Sequence, residues 1–309
     1  MRYKGYINFV IKISAILLLP LAYCFMEYLR KMAKFKSDFE MYRFYINIEV
    51  ILGVIVIYII VKSIVRKQFD IPIQNHVKRF KWYDKASFIV IALLCMDFFE
   101  SMASELSKIV FKLSGNAIPK NQQHNNEGLE NNPLWYSLFD SSVNAPIIEE
   151  IMFRGVGYLL LFSLAGLIKN YKAKWNIVIY ALFILISGTY FGYRHVEEAG
   201  DYQFILPFIV SGIVLSIVFV ITKNIVYSMS VHAIGNMLGT LNNAQVHHVS
   251  NISGYIGDSI AMALWVYIII YAIVKIIKHR EKINAKINAM ANKDYADIKK
   301  TVNRNIEKL

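Results

Sequence analysis

Eight stretches of about twenty mostly apolar residues recur along the chain, and they constrain it more than any other feature. A helix needs roughly 20 such residues to cross hydrocarbon, where no backbone N–H or C=O can be left unpaired. The runs fall at about 7–29, 44–65, 86–111, 147–168, 175–195, 204–222, 225–241 and 257–277, the seventh being short. Of the 309 residues, 56% are hydrophobic and only 18% are charged, where a soluble domain carries about a quarter charged. A soluble enzyme, a disordered tail protein and a secreted disulfide scaffold are all excluded. The expected fold is all-α, a polytopic transmembrane helix bundle of about eight spans.

The first run follows Arg2 and Lys4, as a signal peptide would, but Tyr23 stands where cleavage needs a small residue. We therefore expect it to stay as a span. The two cysteines, Cys24 and Cys95, lie inside apolar runs and read as small buried hydrophobes rather than a disulfide or metal pair. The formal charge of +12 lies between the runs and in the tail, which fits loops facing anionic lipid and not nucleic acid.

Orientation follows from the short loops. Segment 66–85 carries Arg66, Lys67, Lys78, Arg79, Lys81 and Lys85, and the 169–174 loop carries Lys169, Lys172 and Lys174. The tail 275–309 holds ten basic residues against four acidic. With eight spans these share one side, so both termini are expected in the cytoplasm of a bacterial cell membrane. The basic 30–43 loop runs against this scheme. Four regions result: spans of unassigned role in 1–113, a polar loop at 114–134, a five-span block at 135–277 and a basic tail at 278–309. No internal repeat of the transporter kind is present.

Ionisable residues inside spans mark polar cavities or functional sites. Lys12, Glu49, Asp97 and Glu100 read as structural hydrogen-bonders between helices. The group Glu149, Glu150 and Arg154 reads differently. Asn144-Ala145-Pro146 is a helix-start or kink signal, which puts both glutamates near the positive end of a helix. Glu150 and Arg154 are one turn apart and suited to an ion pair, whereas Glu149 points about 140° away from Arg154. One carboxylate is anchored and its neighbour is left free.

His232 and Asn236, four apart, share a helix face beside Gly235 and Gly239, and His195 closes the fifth span. His76, His124, His279 and the pair His247-His248 lie in polar segments, and Glu197 and Glu198 read as a solvated loop edge. There is no His-Glu-x-x-His zinc signature and no Gly-x-Ser-x-Gly elbow. A free carboxylate, two histidines and an amide on three helices supply what amide hydrolysis needs: a base, a group to orient water, and oxyanion donors. Glu149, His195 and His232 would equally hold Zn²⁺ with water as fourth ligand.

Glu149-Glu150-x-x-x-Arg154, Phe191-x-x-x-His195 and His232-x-x-x-Asn236 resemble, in order, the three motifs of the CPBP family of intramembrane proteases. That family includes the CAAX prenyl endopeptidases and bacteriocin-immunity relatives. The flanking Pro146-Ile147-Ile148 and Ile151-Met152-Phe153 with Gly155 are also family-like, and the resemblance covers about residues 140–242. It implies Glu149 as the base with His195 as its partner, His232 and Asn236 as oxyanion donors, and Glu150 with Arg154 in support. The implied substrate is a membrane-anchored protein or peptide. The competing functions are a non-catalytic scaffold or immunity protein on the same fold, and a transporter using Asp97 and Glu100.

Overall fold

The computed structural model describes residues 2–33, 40–72, 80–113, 119–168, 171–246, 250 and 252–306. His76 and the pair His247-His248 lie outside the described residues, as do Lys78, Lys169 and Asn116. All described regular structure is helical. The helices are α1 (Arg2–Ala33), α2 (Glu40–Gln68), α3 (Trp82–Phe111), α4 (Lys120–Asn131), α5 (Leu134–Phe139), α6 (Ala145–Glu150), α7 (Gly157–Ala165), α8 (Asn176–Val196), α9 (Ile205–Thr222), α10 (Ile225–Val246) and α11 (Ser253–Ile306).

Each of the eight apolar runs is helical. Among the described residues, six helices are long and apolar enough to cross a membrane, within α1, α2, α3, α8, α11 and the segment Tyr202–Thr222 that contains α9. The remaining two expected spans have visible reasons to fall short of that measure. The fourth carries Glu149, Glu150 and Arg154, and the seventh, α10, is interrupted by serines, asparagines and His232. Within the segment read as a polar loop, Lys120–Asn131 forms a helix started by Pro119, whose missing N–H costs nothing there.

The chain divides into two compact units, Met1–Ala261 and Met262–Leu309. In the first, α1, α2, α7, α8, α9 and the helical segment Ile151–Val156 share an apolar core built on Leu19, Met26, Val54, Val65, Met152, Leu159, Phe183 and Phe219. Two glycines draw α8 against α9. A Cβ on Gly212 would stand 2.8 Å from the Gly188 carbonyl oxygen, and one on Gly188 would stand 2.5 Å from Ile213 Cγ1. Small residues at such crossings let two backbones touch where lipid offers no hydrophobic drive for association. The second unit is the continuation of α11, with Met262, Trp265, Val266, Ile269 and Ile270 exposed along it.

The cysteines correct a sequence expectation. Cys24 and Cys95 are unpaired, as expected, but both are exposed rather than buried. In a membrane bundle an apolar run faces lipid over much of its circumference, so apolar surroundings in the sequence do not imply protein contact.

Candidate active site

The site is organised by a helix that does not break. Leu134 to Ala165 is continuous helical backbone, but its ladder widens twice into π geometry, at Asp140–Asn144 and at Ile151–Val156. Pro146 has no N–H to give the Ser142 carbonyl, and the first widening lies just before it. Asn144 keeps helical dihedrals (φ −63°, ψ −59°), so no new helix begins there. This corrects the helix-start reading, and with it the placing of the glutamates at the positive end of a new helix.

Glu150 and Arg154 are fully buried and form the expected ion pair, Nη1 to Oε1 at 3.0 Å. Arg154 also donates from Nη2 to the Gly212 carbonyl at 2.9 Å, which the close α8–α9 crossing brings within reach. Its guanidinium lies over the Phe191 ring, 4.7 Å from the centroid. His232 Nδ1 donates to the same Glu150 Oε1 at 3.1 Å. Glu150 therefore anchors a cation from its own helix and an imidazole from α10.

Glu149 is 5% exposed. Its Oε2 lies 3.9 Å from His195 Nε2 and 3.8 Å from His232 Nε2. Residues 46 and 83 positions away thus converge on one carboxylate oxygen, at separations a little beyond a direct hydrogen bond. The tautomers follow from the other ring nitrogens. His195 Nδ1 sits 2.8 Å from the Phe191 carbonyl, which only accepts, so Nδ1 carries a proton. The same logic applies to His232 Nδ1 against Glu150. Both histidines present Nε2 to Glu149, and the His195 ring is fixed between Phe191 and Phe208, at 4.3 and 4.8 Å between centroids.

Glu149 is not free, contrary to the expectation from its helical position. Arg30 Nη2, from α1, lies 3.2 Å from its Oε1. Arg30 in turn neighbours Glu27, and Glu27 Oε1 accepts from Arg194 Nη2 at 2.6 Å. Arg194 also pairs with Glu197, so that residue is held rather than being a loose loop edge. Sequence reasoning missed Glu27, Arg30 and Arg194. The only available signal was their position near span ends, which is also where ordinary flanking charges sit.

Asn236 Nδ2 donates to the Ser141 carbonyl at 2.8 Å, inside the first π segment, and Ser141 Oγ bonds Thr240 Oγ1 at 2.8 Å. This ties α10 to the helix carrying Glu149. Glu100, on α3, accepts from Ser211 at 2.7 Å, a helix–helix hydrogen bond of the kind expected for it.

Among the described residues no group of three His, Cys, Asp or Glu side chains is arranged to hold a metal ion. A guanidinium occupies one oxygen of the carboxylate that such a site would need.

Residues 131–238 match a family described as type II CAAX prenyl endopeptidase Rce1-like, in agreement with the CPBP resemblance read from the motifs. At the family level this supports an intramembrane CAAX-type protease. With the six apolar helices it describes an integral membrane protein. No curated protein and no solved structure matches the chain.

Proposed function

We propose that the protein is an intramembrane endopeptidase that hydrolyses a peptide bond in a membrane-anchored protein or peptide, with Glu149 activating water. The observation that carries this reading is the convergence of both Nε2 atoms on Glu149 Oε2, at 3.9 and 3.8 Å. A water in hydrogen-bond reach of Oε2 gives up its proton to the carboxylate as its oxygen bonds to the substrate carbonyl carbon. His195 orients that water. His232, with Glu150 on Nδ1, is set up to carry positive charge and to donate from Nε2 to the oxyanion. Asn236 uses one amide hydrogen on Ser141 and has a second for the same oxygen. Glu149 then passes its proton to the leaving nitrogen as the C–N bond breaks. Glu150 and Arg154 hold the frame.

In the cell this activity suits bacteriocin self-immunity or maturation of a peptide signal in a bacterial membrane. Both termini are then cytoplasmic, and the basic loops rest on anionic lipid. No step calls for nucleic acid. The alternative is a non-catalytic scaffold on the same fold. The Arg30–Glu149 contact favours it, because a guanidinium already occupies one oxygen of the proposed base. Comparing the membrane peptidome of cells expressing wild-type or Glu149→Gln protein decides between them. Peptides that accumulate or vanish with the substitution support the peptidase, and identical peptidomes support the scaffold.

A further inference from the structure

A polar cavity is lined by residues other than those around Glu149. It measures about 70 Å³, several times the roughly 10–15 Å³ that one water needs. Tyr58 and Lys62 of α2 line it, with Gly155, Tyr158 and Leu159 from the helix that follows Arg154, and Phe219, Lys223, Asn224 and Ile225 from the α9–α10 turn. Two of these carry positive charge, and none is acidic.

Lys223 is the unusual member. It takes a left-handed backbone (φ 52°) at the end of α9 and is only 8% exposed. Its Nζ stands 3.5 Å from the Tyr180 ring centroid and 4.9 Å from that of Tyr158. Among the described residues it has no hydrogen-bond partner. Cation–π attraction offsets part of the desolvation of an ammonium, but three N–H donors still lack an acceptor. Burial draws its pKa down to about 7, which measures how poorly the protein alone supports the charge.

Lys62 adds a second cation from a different helix, half-buried, with its Nζ 5.3 Å from the Tyr58 ring centroid. Two cations without an acidic neighbour, on separate elements around a small cavity, fit a compact anion that offers oxygens in several directions. Lysine serves phosphate as a point charge, with no planar match required. Arg66 and Lys67, exposed one turn further along α2, extend the positive surface as a headgroup site needs.

We propose that this cavity binds a phosphate group, held between Lys62 and Lys223. A phospholipid headgroup and free phosphate share that chemistry. The proposal does not depend on the peptidase reading.

The test uses the full chain, purified in a phosphate-free alkyl maltoside. Inorganic phosphate and short-chain phosphatidylglycerol are titrated separately, and the unfolding midpoint is followed. Wild type is compared with Lys62→Gln, with Lys223→Asn (asparagine tolerates the left-handed backbone) and with Lys172→Gln, an exposed-loop control. We expect a saturable rise in midpoint with at least one probe, and an apparent Kd weakened about 10-fold or more in either cavity variant but not in the control. A response to inorganic phosphate assigns a free-anion site, and a response to the lipid alone assigns a headgroup site. No saturable response, or equal responses in wild type and Lys62→Gln, overturns the proposal and leaves Lys223 as an aromatic-boxed core lysine. Should Lys223→Asn fail to accumulate, Lys62→Gln decides alone, since that half-buried side chain lies on a helix already held by Val61 and Val65.

Discussion

Arg30 holds Glu149 from a helix that the family match does not reach: its Nη2 stands 3.2 Å from Oε1, while Oε2 faces the two histidines. The two oxygens of one carboxylate are thus assigned to different partners. The first span, with no role legible in its sequence, supplies the cation beside the proposed base.

Arg30→Gln should therefore raise turnover rather than abolish it. The pair is partly exposed, with Arg30 at 27% side-chain exposure, so its strength is that of a partly screened ion pair, about 0.5–1 kcal/mol. Relief of that much stabilisation of the resting carboxylate corresponds to about a 2–5-fold rise in single-turnover rate. A loss of activity beyond about 10-fold would instead make Arg30 part of the machinery that positions Glu149.

Glu149 and Glu150 are adjacent in sequence but should behave oppositely when substituted. Glu149→Gln removes the proton acceptor without breaking the buried pair, so activity falls by about 10²–10⁴ while the amount in membranes holds. Arg154→Ala strands Glu150 in a fully buried setting at about 3–5 kcal/mol, so the protein itself should become scarce. Immunoblots of membranes, read beside activity per molecule, separate the two. Normal accumulation of Arg154→Ala with loss of Glu149→Gln protein would reverse the assigned roles.

Asn236 and the metal question are answered by one set of assays. If its second amide hydrogen meets the oxyanion, Asn236→Ala costs about 10²–10³ in kcat. Asn236→Asp should be no better, because a carboxylate faces both the Ser141 carbonyl and the developing negative charge. Chelation should leave activity unchanged. Activity that a chelator abolishes and Zn²⁺ restores, with Asn236→Asp still active, would require the zinc alternative built on Glu149, His195 and His232.

Much of this was readable from spacing. Apolar runs gave the helices because a bilayer leaves helix as the way for a single run to satisfy its own backbone. The i, i+4 relation gave the Glu150–Arg154 pair, and motif order gave the two histidines. What escaped was long-range. Nothing local marks Arg30, 119 positions from Glu149, as its partner. The unbroken helix through Pro146 was also hidden, because a π widening lets a proline sit inside a helix where local rules put a start. The cysteines misled for a related reason, since lipid and protein core leave the same apolar imprint on a sequence.

Lys223 supplies a prediction in pH. Its pKa is drawn down to about 7 from 10.5 by burial, among the Tyr158 and Tyr180 rings, with Tyr58, Lys62 and Asn224 also lining the cavity. The unfolded chain binds this proton below about 10.5, whereas the folded protein binds it only below about 7. Between those values the unfolded state holds more protons, so stability contributed by this site rises with pH across the window. Below pH 7 the penalty is complete and no longer changes. In phosphate-free detergent the unfolding midpoint of wild type should therefore climb from pH 7 towards pH 10, and Lys223→Asn should lose that climb. Bound phosphate should flatten it as well, because an anion beside Nζ restores the proton affinity that burial removes. A wild-type midpoint that stays level, or falls as it does in Lys223→Asn, would mean that the ammonium is already neutralised by a partner within the protein.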